Sequence, residues 1–129
     1  MMAQAQALFR TISETDFFHF FEGVNPKGPE VVKFLNYKKE DVSAAAGIPV
    51  ASVRYDEKMP QELRERIIQW ANAINLVGSY FQDAEKTILW FQIPNPLVGG
   101  FSPRDLIRLG RFNKLMKFIQ SALDENIRA

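Results

Sequence analysis

From Pro29 onward, apolar side chains recur at three- and four-residue steps along most of the chain, the spacing of one face of an α-helix. Glu30 to Leu35 is a short periodic run. Lys39 to Ala46 sets Val42 beside small Ala45 and Ala46, and Gly47 interrupts. Ile48, Val50 and Val53 resume the apolar set and predict a further helix over Ile48 to Tyr55. After the polar break Asp56 to Pro60, the positions Leu63, Ile67, Trp70, Ile74 and Val77 predict a long helix over Gln61 to Gln82. Pro60 suits its first turn. Asp83 is placed to cap a helix running through Trp90 and Phe91. Ser102-Pro103-Arg104-Asp105 reads as another helix start, with Ser at the cap and Pro at the first position. A last helix, Phe112 to Leu123, carries Leu115, Met116, Phe118 and Ile119, and the polar tail Asp124 to Ala129 is expected to fray. No alternating run flanked by turn dipeptides predicts a strand, so the expected class is all-α.

The N-terminal part follows a different pattern. Phe17, Phe18, Phe20 and Phe21 crowd around His19, and Gly23-Val24-Asn25-Pro26-Lys27-Gly28-Pro29 follows. Two glycines and two prolines in seven residues cannot be helix interior, which predicts a boundary there. The chain is thereby divided into a Phe-rich arm (1–28), a first helical unit (29–82) and a second one (83–129). Four close aromatics cannot share one helix face, so the arm is expected to pack partly on the core and partly on an outer contact such as a dimer interface.

Composition removes whole classes of chemistry. The 129 residues include no cysteine and a single histidine, which excludes disulfides, thiolate catalysis and His- or Cys-based metal centres. No cofactor is expected. The 16 basic and 15 acidic side chains leave a net charge of +1, so contact with nucleic acid would need a local patch. No apolar run reaches the ~20 residues of a membrane span, and no secretion signal is evident, which makes the cytoplasm the expected location. An enzyme would have to use His19 as a buried base, oriented by Glu14 or Asp16. No nucleophile, phosphate loop or carboxylate pair accompanies it, so a non-enzymatic role is expected.

Lys38 to Tyr55 has the layout of a helix-turn-helix. Ser43 is small enough for a helix crossing, Gly47 suits the turn, and Val42, Ala46, Ile48 and Val53 would pin the two helices. On the second helix Ser52, Arg54 and Tyr55 would face outward to meet DNA, with Lys39 and Lys58 supplying phosphate contacts. Asp56 and Glu57 follow at once and oppose that approach.

The stretch from Trp90 to Pro103 is the most unusual. Pro94 and Pro96 push Ile93 and Asn95 into extended backbone, and Gly99-Gly100 permits a turn other pairs would strain. The expected product is a stiff, defined loop, fastened by Asn95, with Trp90 beneath it. The pattern W-x-x-x-P-N-P-x-x-G-G-x-S-P-x-D-L, carried by Trp90, Pro94, Asn95, Pro96, Gly99, Gly100, Ser102, Pro103 and Leu106, resembles the toxin-binding domain of the Xre/MbcA/ParS antitoxins. The upstream order of Gly47 turn, Pro60 helix and Trp-bearing helix resembles them too, over roughly residues 29 to 123.

This resemblance implies an Xre-like helix-turn-helix bundle followed by a small helical toxin-binding domain. It implies a homodimeric antitoxin of a type II toxin–antitoxin system, binding a cognate toxin, commonly a RES-domain protein that consumes NAD. It also implies repression of its own operon through operator DNA. The family blocks the toxin with its C-terminal part, which by position points to Lys114, Lys117, Asp124, Glu125, Asn126 and Arg128. Gly110-Arg111-Phe112 departs from the family in lacking a second glycine. A stand-alone helix-turn-helix regulator without a toxin partner is the alternative.

Overall fold

The computed structural model describes the backbone of residues 16–128 and the side chains of residues 16–125. Among these residues are six α-helices, a two-stranded hairpin and two short 3-10 turns. The chain is mostly helical, as its periodicity predicts. The hairpin is a departure from that pattern. Strand β1 (Phe21–Glu22) pairs antiparallel with β2 (Asn25–Pro26), Phe21 opposite Pro26 and Glu22 opposite Asn25. Gly23 opens the intervening two-residue turn at φ +61°, which glycine reaches without strain. Two residues per strand are too few to show an alternation, so the segment reads in sequence only as a break.

Helix α1 (Gly28–Phe34) follows, with Pro29 in its first turn, then α2 (Lys39–Ala46). The α2 helix ends at Gly47, which turns left-handed at φ 70°. The predicted helix over Ile48 to Tyr55 does not form. Pro49 is extended, Val50–Ser52 makes a single 3-10 turn, and Val53 is extended again. Buried Ile48 and Val53 flank this turn, so the apolar spacing taken for a helix face anchors two ends of a short loop.

The long helix α3 (Gln61–Phe81) is the axis of the molecule: Leu63, Ile67, Trp70, Ala71, Ile74 and Val77 along it are buried. Gln82 terminates it in the left-handed conformation. Asp83 caps α4 (Ala84–Gln92) by accepting from the Lys86 N–H at 3.0 Å. Ser102 caps α5 (Pro103–Arg108) by accepting from the Asp105 N–H at 3.2 Å. Helix α6 (Phe112–Arg128) continues through the tail expected to fray. Buried apolar residues from Phe20 to Ile119 form one continuous cluster.

The phenylalanine arm joins this cluster. Phe20 is buried, and Phe18 stacks on it at 5.4 Å and meets Phe34 edge-on at 5.0 Å. A polar clamp fixes the arm to α3. The Asp16 carboxylate accepts from the Phe20 and Phe21 N–H groups and from Asn75 Nδ2, at 2.8, 3.0 and 3.0 Å. Asn75, itself fully buried, accepts from the Phe18 N–H at 3.1 Å. The helix leaves room at Gly78, where a Cβ would stand 2.6 Å from the Phe18 ring.

Candidate partner-binding surface

The loop between α4 and α5 is organised by one residue. Asn95 Oδ1 accepts from the Leu97 N–H at 2.9 Å, which starts the 3-10 turn Pro96–Val98. Its own N–H donates to the Phe101 carbonyl at 3.0 Å. Its carbonyl accepts from Val98 at 3.1 Å and Gly100 at 3.0 Å. Its Oδ1, its N–H and its carbonyl are therefore all spent on closing the loop. Gly99 and Gly100 both lie at positive φ, +78° and +82°, which two successive glycines adopt without strain. Val98 points inward and is buried, while Leu97 at the tip is 77% exposed. Of the sequence-predicted residues, Pro94 and Pro96 are exposed, and Ser102 and Pro103 are buried under the loop's exit.

Trp90 departs from its expected place. It is half-buried, stacked on Phe118 at 6.1 Å with the ring planes within 7° of parallel. The fully buried ring next to it is Phe91, which meets Phe34 edge-on at 5.8 Å. A one-residue step on a helix turns a side chain by about 100°, so adjacent aromatics cannot both face the core.

Exposed apolar side chains concentrate at this loop. Five of the eight large apolar side chains that stand exposed among the described residues fall between positions 89 and 109: Leu89, Ile93, Leu97, Phe101 and Leu109. Leu89 and Ile93 are four residues apart, on one side of the end of α4. The Arg111 guanidinium covers the Phe101 ring at 5.8 Å. Lys114 and Lys117 stand exposed on α6 and add positive charge near its start. Asp124 and Glu125 are also exposed, and the side chains of Asn126 and Arg128 lie outside the described residues.

A residue that sequence reasoning passed over holds this surface to the N-terminal half. Arg104 Nε donates to the Leu35 carbonyl at 2.7 Å, and Nη2 donates to the Asn36 carbonyl at 3.1 Å. The guanidinium also lies over the Tyr37 ring, 5.2 Å from its centre. The Tyr37 hydroxyl returns a hydrogen bond to the Arg104 carbonyl. Burial pushes that phenol well above its ordinary pKa, with Arg104 pulling the other way. The only sequence signal was an arginine one position past a helix-opening proline.

The residues expected to read DNA do not form a groove-facing helix. Tyr55 is half-buried against Gly28, where a Cβ would meet its ring at 2.7 Å, so it packs inward. Ser52 is half-buried in the 3-10 turn. Arg54 is held by Asp56 through two hydrogen bonds of 2.9 and 2.6 Å. That bond lowers the Asp56 pKa and raises that of Arg54. Lys39 and Lys58 are exposed, on α2 and on the loop before α3. His19 is exposed in a left-handed turn, φ 55°, and the Asp16 carboxylate is committed to the arm and Asn75. His19 is therefore not a buried base oriented by Asp16; Glu14 lies outside the described residues.

No group of three or more His, Asp or Glu side chains able to hold a metal occurs among the described residues. No described helix is long and apolar enough to cross a membrane. No protein-family model, curated protein or solved structure matches the chain.

Proposed function

We propose that this protein acts by binding another protein, as the antitoxin of a type II toxin–antitoxin pair, and that the α4–α5 loop is the docking surface. The observation that carries the reading is the combination found in that loop. Its backbone is closed on Asn95, and it presents Leu97, Ile93 and Phe101 to solvent. Exposed apolar side chains on a pre-organised backbone lose little entropy when a partner covers them. The resemblance of Trp90 to Leu106 to an antitoxin toxin-binding domain supplies the class of partner, with a RES-type, NAD-consuming toxin the first to test. Catalysis belongs to that partner.

Operator repression, also implied by the resemblance, needs a helix that enters the major groove. In place of that helix stands the three-residue turn Val50–Ser52, and Arg54 beyond it is paired with Asp56. The proposal is therefore confined to neutralisation.

Co-expression with the product of the adjacent gene, followed by size-exclusion chromatography with mass detection, tests it. A defined heteromeric complex and relief of the neighbour's toxicity are expected. A harmless neighbour that does not co-purify would defeat the proposal and turn attention to a stand-alone regulator.

A further inference from the structure

Of the six arginines whose side chains are described, five spend their guanidinium inside the fold: Arg54, Arg64, Arg66, Arg104 and Arg108 each donate to a carbonyl or a side chain. Arg111 is the sixth. Among the described residues its side chain forms no hydrogen bond and no ion pair, and its guanidinium rests over the Phe101 ring at 5.8 Å. A ring offers no acceptor oxygen, so the N–H donors of the fork are unspent. The backbone beneath it is fixed all the same. Gly110 turns the chain at φ +78°, and the Arg111 N–H donates to the Leu106 carbonyl at 2.8 Å.

The charge around this arginine is one-sided. From Lys86 to Leu123 the only acidic residue is Asp105, and it is already paired, with Arg108 at 3.2 Å and with Arg104 at 3.7 Å. Lys114 and Lys117, one and two turns further along α6, are exposed and form no ion pair among the described residues. The other neighbours are apolar: Phe101 under the guanidinium, Leu97 at the tip of the same loop and Leu109 just before the Gly110 turn all stand exposed.

We propose that Arg111 sets the specificity of this surface, and that the partner it fits is a protein segment with a carboxylate beside an apolar side chain. The guanidinium clasps the carboxylate through two parallel N–H bonds, and the apolar side chain covers Phe101 and Leu97. A nucleic-acid backbone brings negative charge but no apolar group to set against those two side chains, so an acidic polypeptide is the better match. The proposal rests on the reading of the α4–α5 loop as a docking surface, and it names the chemistry of what docks.

Selection of random short peptides displayed on phage, against the full-length protein and its Arg111→Gln variant, tests it. Arg111 is exposed, so the variant should keep the thermal transition of the wild type. Wild type should enrich sequences with Asp or Glu next to Leu, Ile or Phe. A synthetic peptide of that consensus should bind Arg111→Gln roughly tenfold or more weakly. Changing the peptide's acid to its amide should cost wild type as much and cost the variant nothing further, the signature of one direct pair. Arg111→Lys, which keeps the charge and loses the planar fork, should fall between the two. A consensus without acids, or an acid preference that Arg111→Gln leaves unchanged, would overturn the proposal. So would binding of duplex DNA that the same substitution abolishes, which would assign the guanidinium to phosphate. Co-purification with the neighbouring gene's product judges the antitoxin reading separately. A neighbour bound equally well by wild type and Arg111→Gln would overturn the role of Arg111 alone. An acidic consensus that needs Arg111, with no complex formed by the neighbour, would overturn the toxin alone.

Discussion

Arg104, in the first turn of α5, donates to the main-chain carbonyl of Leu35, at the end of α1, across 69 positions of sequence and 2.7 Å of space. A helix C-terminus leaves carbonyls unsatisfied and carries partial negative charge, so a guanidinium there meets two needs at once. A second bond to Asn36 and the stacking on Tyr37 fix the fork in place. The loop before α5 thereby takes its orientation from the N-terminal half. Arg104→Ala should cost about 2 kcal/mol, since hydrogen bonds to a charged group contribute roughly 1.5–3 kcal/mol. Arg104→Lys should recover less than half of that, because an ammonium cannot reproduce the planar fork. Urea denaturation followed by circular dichroism measures both. A loss below about 0.5 kcal/mol for the alanine variant would mean the fork is solvated rather than structural.

Asn95 offers a sharper chemical test. Its side chain acts only as an acceptor, from the Leu97 N–H. Asn95→Asp retains an acceptor at that point, whereas Asn95→Ala leaves the amide without one. The alanine variant should lose about 1 kcal/mol, the usual value of such a cap, and the aspartate variant close to none. Equal losses for the two would show that the amide nitrogen, not the oxygen, matters.

The two tryptophans should differ in a way that residue type alone does not suggest. Trp70 is 1% exposed at the centre of α3, and Trp70→Ala should cost about 3–5 kcal/mol. Trp90 is half-buried and rests on Phe118, so Trp90→Ala should cost nearer 1–2 kcal/mol and leave the fold intact. Chemical denaturation of each variant, monitored by the remaining tryptophan, gives the comparison. A Trp90 loss equal to that of Trp70 would place the ring in the core after all.

Much of this architecture was legible in the order of residues. Leu63, Ile67, Trp70 and Ile74 announce α3 through their period, and Asp83 and Ser102 announce helix starts through cap chemistry. The loop at Asn95 was readable because proline and glycine restrict backbone geometry locally. The failures share a cause. Ile48, Val50 and Val53 satisfy a helical period over too few turns to decide between a helix and a loop with two buried ends. The Arg104–Leu35 bond and the Asp16–Asn75 clamp join residues distant in sequence, and no local pattern marks them. Trp90 reads in sequence as the ring beneath the loop, although its neighbour Phe91 occupies the inward position.

If the α4–α5 loop docks a partner, Leu97 is the residue whose change should separate binding from folding. At 77% exposure it contributes little to the core, so Leu97→Asp should change stability by no more than about 0.5 kcal/mol. At an interface centre, the same change removes an apolar contact and desolvates a carboxylate, which should cost 2 kcal/mol or more, roughly 30-fold in Kd. Lys114→Glu and Lys117→Glu lie on exposed α6 and change charge rather than packing. Against an acidic partner they should slow association, and the effect should fade as salt rises, because screening shortens to about 8 Å near physiological ionic strength. Surface plasmon resonance of each variant against the co-purified neighbour, at low and high salt, resolves the two terms. Wild-type affinity for Leu97→Asp would remove the loop tip from the interface.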